Sequence, residues 1–130
     1  MKEGFDMTEK VIALSTSGSV AILKLRQDEA GSTLGAMQRA IGGYIEVVRP
    51  KNLRSPYLIV CDEDGVIKNL EVNVVGTLLY GAPIVGDIII MKSGVRNGEP
   101  DIVGMGDEEA TDLANELISS HPWLKLIIHE

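Results

Sequence analysis

The stretch that decides the fold is Gly31-Ser-Thr-Leu-Gly-Ala-Met-Gln-Arg-Ala-Ile-Gly-Gly-Tyr-Ile-Glu-Val-Val48, which reads as a helix, a double-glycine hinge and a strand. Leu34, Met37 and Ile41 stand at i, i+3 and i+7, the spacing of one apolar helix face. Gly42 and Gly43 are expected to supply the positive φ that ends a helix sharply. The strand leaving the hinge sends Tyr44, Glu46 and Val48 to one side and Ile45 and Val47 to the other. No catalytic signature lies in this stretch.

Upstream, Lys10–Ser15 and Ser19–Arg26 read as two strands joined by the glycine-bearing turn Thr16-Ser-Gly18. Ser32 or Thr33 is positioned to cap the helix that follows. Downstream, the two prolines of Arg49–Pro56 predict a surface loop. Tyr57–Cys61 is an apolar central strand, Asp62-Glu-Asp-Gly65 a compact turn, and Val66-Ile-Lys68 the start of a short return strand. Glu71–Gly81 reads as a second helix with Asn73 as its N-cap and Gly81 at its end. Ile84–Lys92 is the strongest strand pattern. Ser93–Gly98 reads as a turn, and Pro100–Met105 as a short strand. A helix capped by Asp107 carries acids in its first turn and an apolar stripe of Ala110, Leu113, Leu117 and Ile118. Pro122 ends it, and Trp123–Ile128 alternates like a last strand suited to pairing with another chain. The expected fold is a single α+β domain. It has a mixed or antiparallel sheet, two helices packed on one face and an acidic C-terminal helix. Its parts are a flexible N-terminus (1–9), a core (10–106), and an acidic helix with an apolar tail (107–130) serving interaction or oligomerisation.

The chain has 130 residues, 45% hydrophobic and 24% charged, enough for one domain with a core. It holds one cysteine, Cys61, which excludes an internal disulfide and fits a reducing compartment. With no apolar run of bilayer length and a polar N-terminus, the expectation is a cytoplasmic protein. The net charge of −7 is unevenly placed. Residues 1–98 balance to zero, and the whole excess lies in 99–130, where Lys125 alone faces eight acids. Such a chain is not expected to bind duplex DNA nonspecifically, which needs clustered cations on phosphate.

Catalytic and metal patterns do not assemble. His121 and His129 have no Cys or His cluster around them. Asp62-x-Asp64-Gly65 has Asn73 where a calcium loop needs its bidentate acid, so it reads as a turn. Cys61 ends an apolar strand and reads as an inert buried thiol, and Ser15, Ser17 and Ser19 lack a nucleophile-elbow context. No enzyme and no cofactor are expected. One constellation remains: Arg39, Arg49, Lys51 and Arg54 gather positive charge within sixteen residues, opposed only by Glu46. With Tyr44 or Tyr57 for stacking, and Asn73, they form a candidate site for an anionic, nucleotide-like ligand at Tyr44, Arg49, Lys51, Arg54 and Asn73. The competing reading is that these cations neutralise the acidic C-terminal helix.

Met37-Gln-Arg-Ala-Ile-Gly-Gly-Tyr-Ile-Glu-Val-Val48 resembles the LQ…VGGYIEVV signature of a small uncharacterised family from bacteria, mobile elements and bacteriophages. The resemblance continues in order through Tyr57–Gly65, Lys68-Asn-Leu-Glu-Val-Asn73, Leu78-Leu-Tyr-Gly81 and Ile84-Val-Gly-Asp87. It implies a domain of unknown function from which no catalytic residue carries over. Its phage setting implies an accessory role, either sequestering a signalling nucleotide used in antiviral defence or engaging a host protein. The leading expectation is thus a noncatalytic, oligomeric binding protein for a small anionic molecule. The alternative is a protein-interaction module that inhibits a host protein through its acidic C-terminal helix.

Overall fold

In the computed structural model, which describes residues 7–127, the hinge stretch folds as its sequence requires. Helix α1 (Leu34–Ile41) ends at Gly42, whose φ of 91° is the left-handed value a Cβ disfavours. Gly43 serves a different purpose from the shared positive φ expected. A Cβ there would run into the Lys68 ammonium and stand 3.2 Å from Asp62 Oδ2, so the second glycine makes room for an ion pair. Strand β3 (Ile45–Val48) follows directly.

The other elements are β1 (Thr8–Leu14), β2 (Ser19–Arg26), β4 (Tyr57–Asp62), α2 (Val74–Tyr80), β5 (Ile88–Arg96), β6 (Glu99–Val103), α3 (Asp107–Ser120) and β7 (Lys125–Ile127). The sheet runs β3-β4-β5-β1-β2-β7, with β6 pairing β5 off this path. Every pairing is antiparallel except β2 with β7, which is parallel. The molecule is a single α+β domain with a mixed sheet.

Both sheet faces are covered. On one, Ile12, Leu14, Ile59, Ile88 and Ile90 pack with α2 through Val75 and Leu79 and with α3 through Ala110, Leu113, Ala114 and Leu117. On the other, the alternate residues Val11, Val60, Ile89 and Met91 meet α1 through Ala36, Met37 and Ile41. The two-helix face therefore pairs α2 with the acidic helix, and α1 takes the opposite face. A helical stripe specifies that a face is buried but not which side of the sheet buries it. The segment from 107 onward is built into the core by α3.

Several local expectations are corrected. Residues 63–69 are turn throughout, with Val66 and Ile67 standing 81% and 85% exposed, so no return strand forms. The strong strand begins at Ile88 and runs on to Arg96; Ile84–Asp87 is a link outside the strand, with a single bridge from Val85 to Val72. The turn after it shrinks to Asn97-Gly98, both with positive φ (54° and 79°), the pattern of a tight hairpin turn. Strand β7 pairs with β2 of its own chain, where Leu124 buries and Lys125 N–H reaches Gly18 O. At α3 the cap is Gly106, and Asp107 is already helical, held 3.0 Å from Lys10. Thr8 and Glu9, expected in a flexible N-terminus, belong to β1; residues 1–6 and 128–130 lie outside the described residues. Among the described residues no helix is long and apolar enough to cross a membrane.

Candidate functional site

The five candidate residues do not come together at one place. Tyr44 stands at the hinge end of β3, 67% exposed, beside Gly43, Asp64 and Lys68. Arg49 lies past the other end of that strand, roughly 16 Å along at the rise of a β-strand. Asn73 is 1% exposed. Its Oδ1 accepts from Gly76 N–H at 2.9 Å as the α2 cap, and its Nδ2 donates to Leu14 O and Gly86 O at 3.0 Å each. That amide is fully engaged in joining α2, β1 and the link before β5. It is a structural residue with no group left for a ligand.

The basic loop also has structural duties. Lys51 and Asn52 donate backbone N–H groups to Tyr80 O and Leu79 O, and Asn52 Nδ2 donates to Leu78 O, so the loop closes the C-terminus of α2. The Lys51 stem lies against Gly81, placing a cation near that helix end. Arg54 donates to Glu116 of α3 at 2.7 Å and lies 5.3 Å over the Tyr57 ring; the Glu116 hydrogen bond raises its pKa further. For Arg54 the pairing with the acidic helix holds. Arg49 and Lys51 have no side-chain ion partner among the described residues.

Glu109 of the same helix is satisfied in a similar way. Glu109 accepts from Lys92 at 2.7 Å and from the Tyr57 hydroxyl at 2.7 Å. The Lys92 bond holds the Glu109 carboxyl below its ordinary range. Burial, reinforced by Glu109, pushes the Tyr57 hydroxyl up to about 12. At the far end of β5, Arg96 binds Glu9, Asp101, Gly31 O and Ile102 O. Burial works against the Glu9 charge, but Arg96, Gln27 and the Gly104 N–H outweigh it and lower its pKa. The Arg96 hydrogen bond lowers Asp101 too.

The side chains weighed as nucleophiles have structural surroundings. Cys61 is 5% exposed, and burial, then Glu46 and Asp62, push its thiol up to about 11. Ser15 bonds the hydroxyls of Ser17 and Ser19, while His121 Nδ1 lies 2.9 Å from Leu117 O. No group of three His, Cys, Asp or Glu there could hold a metal ion.

What sequence reasoning passed over is the edge that β3 leaves open. Among the described residues this strand has β4 on one side and no strand on the other. Glu63 N–H donates to Tyr44 O at 2.9 Å, and Ile45 stands opposite Asp62. In an antiparallel ladder this phase turns the backbone groups of Tyr44, Glu46 and Val48 toward β4, and those of Ile45 and Val47 toward the open edge. Val47 is also exposed. A cleft of about 240 Å³ lies alongside, lined by Glu46, Val48, Glu63, Val66, Tyr80 and Pro83 among others. The legible signal was the position of Ile45–Val48 between a helix and a proline loop, which leaves one edge without a neighbour.

A solved structure of the small RNA methyltransferase HEN1 is similar in fold, with a TM-score of 0.59 at 14% identity. The match covers 83% of this chain but only 16% of that one, and at this identity it shows the fold alone. No curated protein matches the sequence. A family model described as a domain of unknown function, DUF3846, matches residues 10–121, nearly the whole described span, and the chain belongs to that family.

Proposed function

We propose that this chain is a noncatalytic binding protein that engages another protein along the open edge of β3. The observation that carries the reading is the unpaired edge itself. Ile45 and Val47 present free backbone groups there, and the strand lacks the lysine, proline or bulge that usually blunts an exposed edge. Exposed Tyr44, Val47 and Val66 flank it. In this reading the protein acts in the bacterial cytoplasm as an accessory factor of a phage or mobile element, the setting implied by the resemblance of residues 37–48, and inhibits a host protein. The interaction surface is moved from α3, whose apolar stripe is consumed by the core, to β3.

Affinity capture from host lysate with the intact chain and a Val47→Pro variant tests this. The Val47 N–H points away from β4, so proline removes an edge donor while leaving the ladder bonds in place. Partners lost in the variant support the reading; an identical partner set in both overturns it. Removing residues 107–130 is no substitute, because it would empty the core of Leu113 and Leu117.

A second reading keeps the small anionic ligand, favoured by the unpaired Arg49 and Lys51 on one loop. A nucleotide bound only by the native state raises the melting temperature. No rise with any nucleotide, or a rise unchanged in an Arg49→Ala/Lys51→Ala variant, ends it.

A further inference from the structure

The cleft beside β3 differs from the bare edge in carrying charge that the fold leaves unmatched. Glu46 and Glu63 line it, and neither carboxylate has an ion partner among the described residues. Asp62, at the same place, is spoken for: it is 6% exposed, 2.6 Å from the Lys68 ammonium, and accepts from Asp64 N–H. Burial raises the Asp62 pKa, yet Lys68 and that N–H bring it below the ordinary value. The walls between these acids are apolar, from Val48, Val66 and Pro83. A short acidic rim over an apolar wall suits a side chain with a long aliphatic stem and a cationic head.

Strand geometry says where such a side chain would come from. Glu46 stands opposite Cys61 and Val48 opposite Ile59, so both project on the face that carries the cleft. A strand added to the open edge bonds to the backbone of Ile45 and Val47 and sets one residue directly across from Glu46. The Cβ atoms of such a pair lie about 4.5–5.5 Å apart. We propose that β3 takes an extended segment of a partner protein whose residue opposite Glu46 is lysine or arginine, its stem along Val48, Val66 and Pro83 and its charge between Glu46 and Glu63. This rests on the reading of β3 as the docking edge. Lys51, lying over Gly81 next to Tyr80, marks the other end of the cleft, so the cation belongs at the Glu63 end. The negative potential of Glu46 and Asp62 already registers on Cys61, where both add to burial in raising the thiol pKa.

A second copy of the chain fits this edge less well. Two antiparallel β3 strands related by a two-fold axis perpendicular to the sheet keep every residue on its own face. Glu46 would then stand across from Tyr44, Glu46 or Val48 of the other copy, and never from Arg49. The symmetric pairing offers no cation to the cleft.

Fluorescence anisotropy with a labelled Thr-Val-Thr-Lys-Thr-Val-Thr peptide tests the inference, beside versions with norleucine or glutamate for lysine and one N-methylated along one edge. The lysine peptide should bind about fivefold tighter than norleucine and about tenfold tighter than glutamate. Its advantage should shrink with added salt. In a Glu46→Gln/Glu63→Gln protein, the lysine advantage should vanish while norleucine binding stays as it was. Both side chains are exposed, and unchanged melting confirms the variant's fold. Equal affinity for lysine and glutamate peptides, or a preference that survives the double substitution, overturns the charge assignment alone. Failure of every peptide, or N-methylation without effect, overturns the docking edge and the inference with it. A concentration-dependent rise in the mass of the protein alone would assign the edge to a second copy instead.

Discussion

Around α3 and the far end of β5, charges meet partners: Lys10 with Asp107, Lys92 and Tyr57 with Glu109, Arg54 with Glu116, Arg96 with Glu9 and Asp101. Along β3 and its flanking turns, Glu46, Glu63, Arg49 and Lys51 have no such match, and apolar Tyr44, Val47, Val66 and Ile67 stand in the open. In the first region the Arg96–Glu9 and Lys92–Glu109 pairs lie where the sheet is packed by the β6 hairpin and by α3, so an unmatched charge there would be partly desolvated and costly. The second lies at the sheet margin, where water solvates each charge and no folding penalty forces a pairing. The contrast separates groups that hold the fold from groups available to a partner.

Substitutions ought to divide along the same line. Asn73→Ala should have the largest effect, about 3 kcal/mol in urea unfolding, because it removes the α2 cap and strands Leu14 O and Gly86 O in the interior. A loss below about 1 kcal/mol would mean the buried amide is not what anchors α2.

Arg96→Met comes next, at about 2 kcal/mol near neutral pH, since it leaves the half-buried Glu9 carboxylate short of its main partner. Here pH gives an independent check. Glu9 and Asp101 have folded pKa values below their unfolded ones, so their stabilisation is complete above the unfolded carboxylate range and is lost as pH falls through the folded values. Stability of the parent chain should drop from about pH 5 toward pH 3, and the variant's curve should be flatter there. Parallel curves would contradict the assignment.

Tyr57→Phe should cost about 1.5 kcal/mol, the lower end of the net worth of a hydroxyl bond to a charged group. The sign at high pH is opposite to that of Glu9: a hydroxyl raised to about 12 stabilises below its unfolded pKa and loses that contribution as pH climbs toward the folded value. The parent should therefore weaken above about pH 10 more than the Phe variant does, once the matching contribution of Cys61, raised to about 11, is common to both.

The smallest effect is expected on the β3 side. Glu46→Gln and Arg49→Ala should leave the melting temperature unchanged, as solvated charges do. A marked loss in either would move that residue into the structural class and blunt the comparison.

Local features of this fold were readable from the chain. Gly42 ends α1 because a positive φ is a one-residue property, and Asn73 caps α2 because its acceptor reaches only three residues ahead. Asn97-Gly98 carried an equally local hairpin signal, obscured by reading it together with Ser93 as one long turn. The candidate site was a weaker reading because sequence proximity stood in for spatial proximity. Tyr44 and Arg49 are near neighbours in the chain yet occupy opposite ends of an extended strand. Arg54 finds its partner 62 residues away.

By itself, then, the sequence determined the succession of helices and strands, the hinge, the acidic C-terminal helix and the α+β class, since backbone φ and hydrophobic period are written residue by residue. Tertiary structure decided that α1 and α2 lie on opposite faces, that β7 joins its own sheet, that Asp107, Glu109 and Glu116 of α3 are matched, and that β3 is left as an open edge. These outcomes depend on which distant segments compete for the same buried surface and backbone groups, and no window of sequence contains both competitors.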